Sequence, residues 1–252
     1  MTLLITGGAS GIGAETARLA AARGHKVAIN YRSREATAKK VVADITAKGG
    51  QAVALPADVA READIGPLFD AAKKALGPIT HLVNSAGISA SSRVEDFDAA
   101  VLTRLFAVNT VGLMLCCREA ARRMSTRRGG KGGVIVNISS MAATIGGRPG
   151  VSAYAASKAA VDSFTMGFAK EVATEGIRAV SLRPGMIETD MTERALADPE
   201  ARAAIESTIA MGRVGRATEI AQAILWLLSD EASFISGVTL DASGGGFVFG
   251  KR

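Results

Sequence analysis

The fold of this chain is decided near its start by the stretch Thr6-Gly7-Gly8-Ala9-Ser10-Gly11-Ile12-Gly13. This stretch follows a short apolar run, Leu3–Thr6, and precedes Ala14–Ala22, which has the apolar spacing of an amphipathic helix. A glycine-rich loop between a strand and a helix is typical of dinucleotide-binding domains. A glycine loop alone is weak support, so the rest of the chain has to show the matching pattern of strands and helices.

The glycines of this loop have physical roles in binding a pyrophosphate. Gly7 allows a tight turn, Gly11 lets the backbone approach the anion, and Gly13 lets helix and strand pack closely. The helix N-terminus adds free amides and the positive end of the helix dipole. No Gly-Lys-Ser/Thr sequence follows, which disfavours a nucleoside triphosphate loop. We assign Ser10 and Ile12 to the same cofactor-binding loop.

Short apolar runs recur along the 252 residues and alternate with longer amphipathic stretches. The runs are Leu3–Thr6, Val27–Asn30, Ala52–Pro56, His81–Asn84, Val134–Ser139, Ile177–Leu182 and Val238–Asp241. Near-continuous apolar strands separated by helices indicate a parallel sheet covered on both faces. The pattern predicts one α/β domain over residues 1–252, a Rossmann-like doubly wound fold with about seven strands and about six helices. Ligands of such folds bind beyond the carboxyl ends of the strands.

A long segment at this ligand-binding edge, Thr189–Arg216, has mixed helical character and a break at Pro199. Loops of this length in compact domains are usually functional. We therefore expect the segment to form a lid over the substrate.

The end of the second apolar run indicates which dinucleotide binds. An acidic residue there selects NAD through the ribose hydroxyl, whereas an arginine accommodates the 2′-phosphate of NADP. The chain reads Asn30-Tyr31-Arg32-Ser33-Arg34 and has no acid until Glu35. Because Arg32 offers a charge-assisted fork and Ser33 a hydroxyl, NADP is expected over NAD. The alternative is that these arginines are merely exposed at a helix start.

The composition of the chain narrows the classes of protein and the kinds of site that remain possible. The 30 basic and 24 acidic residues give a formal charge of +6, which suits an anionic cofactor, and no recognition motif points to nucleic acid. Two adjacent cysteines and two histidines make a disulfide framework or a zinc site improbable. We expect no metal, no signal peptide, no bilayer-spanning run and a cytoplasmic location. Cys116 and Cys117 are expected in the core. The densest basic patch contains Arg122, Arg123, Arg127, Arg128 and Lys131.

Acid–base chemistry is indicated by Tyr154-Ala155-Ala156-Ser157-Lys158, in which tyrosine and lysine are four residues apart. On a helix these two side chains share a face. A nearby ammonium favours the phenolate, so we expect the pKa of Tyr154 to fall from about 10 toward the working pH. Such a tyrosine can give a proton to a carbonyl oxygen and take it back in the reverse reaction.

Taken together, these motifs resemble the short-chain dehydrogenase/reductase family over essentially the whole chain. The motifs that carry the resemblance are the glycine loop, Asn84-Ser85-Ala86-Gly87, Asn109, Asn137-Ile138-Ser139-Ser140, Tyr154 with Lys158, and Pro184-Gly185. The resemblance implies that Ser140 polarises the substrate oxygen and Tyr154 is the acid/base. It also implies that Lys158 tunes Tyr154 and holds the ribose hydroxyls, and that Asn109 supports a water chain.

The resemblance assigns further cofactor contacts and an assembly. It places Asp58 and Val59 at the adenine, Asn84, Ala86 and Gly87 near the middle of the cofactor, Ile187 and Thr189 at the carboxamide, and Pro184 and Gly185 beside them. It also implies a homotetramer.

Three positions depart from the common pattern of the family. Ser85 replaces an asparagine, and its polar side chain should preserve the turn. Ser140 precedes Tyr154 by 14 positions, one more than is common, which leaves Ser139 as an alternative to Ser140. Ser10 stands where many NADP-using members have a basic residue, so Arg32 is the main support for NADP.

The sequence therefore predicts an NADP(H)-dependent oxidoreductase that transfers a hydride between nicotinamide and a carbonyl or alcohol carbon of a small substrate. Within this class, a 3-oxoacyl-thioester reductase and a sugar dehydrogenase remain alternatives. The basic patch could receive an acidic carrier protein. A non-catalytic dinucleotide sensor is the alternative from another class.

Overall fold

The computed structural model describes residues 1–246 and contains the predicted sheet. Its strands are β1 (Thr2–Thr6), β2 (Lys26–Tyr31), β3 (Gln51–Pro56), β4 (His81–Asn84), β5 (Gly133–Ile138), β6 (Ile177–Pro184), β7 (Ile187–Glu188), β8 (Gly215–Arg216) and β9 (Thr239–Ala242). Seven of them pair in parallel in the order β3-β2-β1-β4-β5-β6-β9. The predicted α/β doubly wound fold is confirmed. Each of the seven strands of this sheet lies within a few residues of the apolar run that predicted it.

The helices cover both faces of this sheet. They are α1 (Gly11–Ala22), α2 (Glu35–Thr46), α3 (Glu62–Leu76), α4 (Ala99–Phe106), α5 (Leu113–Met124), α6 (Ala142–Ile145), α7 (Ser152–Val172), α8 (Glu193–Leu196), α9 (Pro199–Glu206) and α10 (Ala217–Leu228). Helices α1, α2 and α10 pack on one face, and α3, α5 and α7 pack on the other. The chain has more helices than expected because short helices form in the loops.

The core is two apolar layers divided by the sheet. Side chains alternate between the two faces of a strand. Within β1, Leu3 and Ile5 join the cluster under α1 and α10, whereas Leu4 joins the cluster under α3 and α5. All three are fully buried, which explains why the strand reads as a continuous apolar run.

A continuous helix runs from Ala99 to Met124 and includes a π-helical segment, Ala107–Gly112. By length and composition alone this helix could cross a membrane, a test that the core helix of a soluble protein also passes. Its packing is that of a core helix, because its two α-helical parts contact α3, α7, β4 and β5. Cys116 and Cys117 are fully buried on it, as predicted, and burial raises the pKa of Cys116 to about 12.

The predicted lid has a small core of its own. Strand β7, directly before the lid, pairs in parallel with β8 at the end of the lid, and α8 and α9 lie between them. Asp198 caps the N-terminus of α9 by accepting from the Ala201 amide, and Pro199 is the first residue of that helix. The buried lid residues are Leu196, Ile205, Ile209 and Val214.

The basic patch lies at the end of the molecule away from the ligand-binding edge. It occupies the end of α5 and the turn before Gly133, where β5 begins, whereas Ser140 follows the other end of β5. A strand of six residues is about 20 Å long. Arg123 pairs with Asp70 at 2.7 Å and Arg127 with Glu175 at 3.4 Å. This position argues against a carrier protein docking on the patch to deliver its substrate.

Candidate active site

The glycine loop forms a tight cradle between β1 and α1. Gly7 has a φ of +65°, which permits the turn after β1. A side chain at Gly13 would place its Cβ 2.5 Å from the carbonyl oxygen of Gly7, so only glycine allows this close packing of helix and strand. Ser10 precedes the helix in an extended conformation, and its side chain makes no capping hydrogen bond.

This cradle fits a pyrophosphate on structural grounds. The first amides of α1 have no partner within the helix, and its first turn contains no acidic residue. Gly11 and Ile12 belong to this turn, so their amides and the hydroxyl of Ser10 are the donors available to an anion.

The end of β2 places arginine side chains beside this cradle. Arg32 and Ser33 are exposed just after the strand, and Arg34 forms an ion pair with Asp190 of the lid. The Asn30 side chain is buried, accepts from the Gly7 amide at 3.4 Å and donates to the Ala57 carbonyl at 2.9 Å. Asn30 therefore fixes the cradle to the end of β3, a role that the sequence prediction missed.

The predicted adenine residues, Asp58 and Val59, follow β3. The Asp58 carboxylate forms a salt bridge with Arg104 at 2.9 Å and accepts from the Ala60 amide at 3.0 Å. Burial raises the pKa of Asp58, but Arg104, the Ala60 amide and the nearby charge of Arg32 outweigh it, so the net pKa is lowered. Asp58 is thus an ionised carboxylate, and Val59 is buried beside it.

The segment after β4 approaches Lys158 through its backbone. The side chain of Asn84 points into the interior, where its amide donates to Asn137 Oδ1 at 2.9 Å. Ala86 lies over the glycine loop, with its Cα 2.7 Å from the position of a Cβ at Gly7. A Cβ at Gly87 would lie 3.5 Å from Lys158 Nζ. Asn84 can therefore serve a cofactor only through its main chain.

Helix α7 presents Tyr154 and Lys158 on one face at the carboxyl edge of the sheet. Lys158 is buried, and its Nζ donates to the Ile138 carbonyl at 2.8 Å. This ammonium lies 6.0 Å from the centre of the Tyr154 ring. Burial lowers the pKa of Lys158 to about 8, although Asp162 opposes the shift. Lys158 is therefore mostly protonated at neutral pH and close to titrating.

The two serines after β5 have different surroundings. Ser139 is buried and its hydroxyl donates to the Lys158 carbonyl at 3.1 Å, which fixes the strand end to α7. Ser140 is partly exposed and forms a hydrogen bond with the phenol of Tyr154. Only Ser140 is placed to act on a ligand that reaches Tyr154.

The pKa of Tyr154 does not follow the expectation. Burial raises it above its usual value, and the hydrogen bond from Ser140 only partly opposes this effect. The physical reason is that burial removes water from the phenolate, an effect that the helical spacing of Tyr154 and Lys158 does not report. Tyr154 is accordingly protonated at neutral pH in the protein alone, which suits a proton donor.

Asn109 lies within the π-helical segment and is fully buried. Its Oδ1 accepts from the Ile88 amide at 2.8 Å, and its Nδ2 donates to the Ile88 carbonyl at 2.9 Å and to Ser157 Oγ at 3.1 Å. π-Helical turns are frequent at functional sites because they redirect a side chain. Here the turn directs Asn109 to the segment after β4 and to α7.

The segment after β6 and the start of the predicted lid border the site on the side of β6. Pro184 is buried and accepts from the Met141 amide at 3.0 Å, and Gly185 donates to Ala242 at 3.1 Å. Ile187 is buried in β7, and the methyl group of Thr189 lies 3.2 Å from the position of a Cβ at Gly11. The predicted lid therefore begins directly over the glycine cradle.

A pocket lies beside this edge, under α9. Its described lining is mostly apolar or small, and Arg148 is the charged residue in it; the lining is Arg148, Gly185, Met186, Ile205, Thr208, Ile209, Ser243 and Gly246. The sequence prediction had not singled out Arg148, since its place in the pocket depends on folding of the lid.

Comparison with known proteins agrees with this geometry. A family model described as enoyl-(acyl carrier protein) reductase matches residues 7–246. The chain is 43% identical over 243 residues to the uncharacterized oxidoreductase YgfF of Escherichia coli K12, covering 96% of this chain and 98% of that protein. The chain belongs to the short-chain dehydrogenase/reductase family.

Two further short-chain dehydrogenase/reductase relatives support the assignment. The chain is 40% identical to 3beta-hydroxysteroid dehydrogenase 1 of Eggerthella lenta, covering 99% of this chain and 97% of that protein. The crystal structure of a dehydrogenase/reductase from Sinorhizobium meliloti 1021 matches with a TM-score of 0.90 at 35% identity, covering 97% of this chain and 94% of the other. The protein is accordingly an oxidoreductase acting on hydroxyl or carbonyl groups, in a family that uses nicotinamide cofactors.

Proposed function

We propose that this protein is an NADP(H)-dependent oxidoreductase that transfers a hydride between nicotinamide and a carbonyl or alcohol carbon of a small substrate. The observation that carries the proposal is the convergence of Tyr154, Ser140 and Lys158 at the carboxyl edge of the sheet. A non-catalytic dinucleotide sensor would not need this arrangement. The glycine cradle beside it fits the pyrophosphate of the cofactor.

Tyr154 is the proposed acid/base. When bound, the cofactor supplies or accepts the hydride. Tyr154 donates its phenol proton to the substrate oxygen during reduction and takes it back during oxidation. The Ser140 hydroxyl orients the same oxygen and stabilises the phenolate through its hydrogen bond.

Lys158 and Asn109 act around this tyrosine. The ammonium of Lys158, fixed on the Ile138 carbonyl, favours the phenolate and is placed to hold the ribose hydroxyls. Asn109 positions the segment after β4 through both bonds to Ile88. The water chain that the family resemblance implies would start at this asparagine.

The preference for NADP rests on Arg32. Within residues 1–246 its guanidinium has no hydrogen bond or ion pair, and no acidic residue occupies the end of β2. A phosphate monoester carries nearly two negative charges and three acceptor oxygens, which an arginine fork matches.

For the substrate we propose only a chemical class, and for the assembly only a location and an oligomeric state. The lining under α9 is mostly apolar, which favours a substrate with an apolar body, and both a 3-oxoacyl thioester and a sugar remain alternatives. We also propose a cytoplasmic homotetramer. The support for the homotetramer is that β9 is an edge strand of the sheet within residues 1–246 and lies beside Phe234, Val238 and Leu240, three apolar side chains that are exposed in the single chain.

The experiment is a titration of the purified protein with NADPH and with NADH, followed by nicotinamide fluorescence and by reduction of a ketone panel. NADPH should bind more tightly, and Arg32→Ala should weaken it by about 10- to 100-fold with little effect on NADH. A preference for NADH that Arg32→Ala leaves unchanged would contradict the NADP assignment. Binding of neither cofactor would contradict the proposed function itself.

A further inference from the structure

An ion pair crosses the proposed cofactor cleft between residues that are 156 positions apart. Arg34 immediately precedes α2, next to Arg32, and Asp190 is the second residue of the predicted lid. The preceding Thr189 lies over Gly11 of the pyrophosphate cradle. The start of the lid therefore spans from the cradle to the end of β2.

Within residues 1–246, the arginines just after β2 form one ion pair, the pair of Arg34 with Asp190. Arg32 has no partner within residues 1–246, and the next acid, Glu35, pairs with Lys39 at 2.8 Å. Within residues 1–246, Asp190 is thus the one carboxylate that forms an ion pair with Arg32 or Arg34, and it does so from the opposite side of the cleft. The Asp58 carboxylate is paired with Arg104 and acts on Arg32 through its charge, without an ion pair.

We propose that Asp190 is a specificity-determining residue that competes with the 2′-phosphate of the cofactor for Arg34. This inference rests on the proposed function, because it assumes that the 2′-phosphate binds at the end of β2. NADP(H) displaces the carboxylate from Arg34 and releases the start of the lid. NAD(H) has no phosphate there and leaves the ion pair closed across the cleft.

The expected size of this competition follows from the solvent exposure of the Arg34 and Asp190 side chains. Both side chains of the pair are 53% exposed, so water and salt screen the interaction. Exposed pairs of this kind change an equilibrium by about two- to fivefold. Asp190 therefore adjusts the preference for NADP(H), whereas Arg32 carries most of it.

The test is the variant Asp190→Asn, with dissociation constants measured for NADPH and for NADH. We expect NADPH to bind about two- to fivefold more tightly and NADH to bind unchanged or slightly more weakly. An equal change for both cofactors would overturn the proposal, since a lid effect without phosphate competition acts on both alike.

Two further variants distinguish competition for Arg34 from a general effect of Asp190 on the lid. In an Arg34→Ala background, Asp190→Asn should give no further gain for NADPH, because the group for which the two anions compete is gone. Glu188→Gln is the matched control, since Glu188 is an exposed carboxylate directly before the lid and its partner, Arg202 at 3.0 Å, lies within the lid. Glu188→Gln should leave the ratio of the dissociation constants for NADPH and NADH unchanged.

The outcomes also separate this inference from the proposed function. If the unmodified protein binds NADPH and Asp190→Asn does not shift the ratio, only the competition is wrong. If the gain persists without Arg34, Asp190 acts through another group and the inference fails. If the unmodified protein binds neither nucleotide, the proposed function fails first.

Discussion

Burial alters the titration of single residues at both ends of the sheet. At the carboxyl edge it lowers the pKa of Lys158 to about 8, which leaves this lysine able to gain or lose its charge near neutral pH. At the opposite edge it acts on His81, whose Nε2 bonds to the Leu228 carbonyl and whose Nδ1 bonds to Thr80. The first shift serves the proposed chemistry, and the second affects stability.

His81 should make the protein sensitive to acid. Burial and the nearby His25 lower its pKa from 6.5 to about 4. In this pH range the unfolded state binds more protons than the folded state, so stability is present above pH 6.5 and is lost as the pH falls toward 4. We expect a loss of about 3 kcal/mol in the free energy of unfolding between pH 7 and pH 4 from this group.

Urea denaturation at a series of pH values measures this loss. His81→Gln cannot titrate, so its stability should fall by less over the same interval. An equal pH dependence in the variant and the unmodified protein would show that other groups cause the loss.

At the scale of elements, the π-helical segment aligns two parts of the site. It lies between α4 and α5 and lets Asn109 bond to both the amide and the carbonyl of Ile88 and to Ser157 of α7. The segment after β4 and the helix that carries Tyr154 are thereby held in a fixed relation.

Asn109→Leu should disturb this alignment without removing any acid or base. It leaves the buried backbone groups of Ile88 unpaired, which should cost about 1–3 kcal/mol of stability. Small displacements of reacting groups slow the chemical step strongly, so we expect kcat to fall by about 10- to 100-fold. Denaturation and steady-state kinetics on the same sample check both values. Full activity in a destabilised variant would show that Asn109 is only structural.

The sheet and the glycine loop could be predicted because their signals are local. Apolar runs and glycine spacing depend on neighbours in sequence, and each of the seven predicted runs corresponds to a strand of the main sheet. The inward orientation of Asn84, the role of Asn30 and the ion pair of Arg34 could not be predicted. Each depends on a partner that folding brings from a distant part of the chain. The pKa of Tyr154 was mispredicted because helix spacing does not report burial.

At the scale of the whole molecule, cofactor binding should stabilise the fold. The proposed cleft draws on the ends of β1, β2, β4, β5 and β6, so a bound cofactor connects most of the sheet. At a concentration of 100 times Kd, a ligand that binds only the folded state adds about 2.7 kcal/mol.

For a domain of this size that increase corresponds to a rise in Tm of about 5–10 °C. Differential scanning fluorimetry with NADPH and NADH at equal concentrations measures it, and NADPH should give the larger shift. An equal shift from both nucleotides would argue against recognition of the 2′-phosphate.

The most direct test of the central claim is the variant Tyr154→Phe, which removes one hydroxyl at the point where Ser140 and Lys158 converge. We predict that NADPH binding stays within about twofold, while turnover of any carbonyl substrate found for the unmodified protein falls by about 100- to 10,000-fold. Retained turnover in Tyr154→Phe, with NADPH still bound, would contradict the assignment of Tyr154 as the proton donor and acceptor.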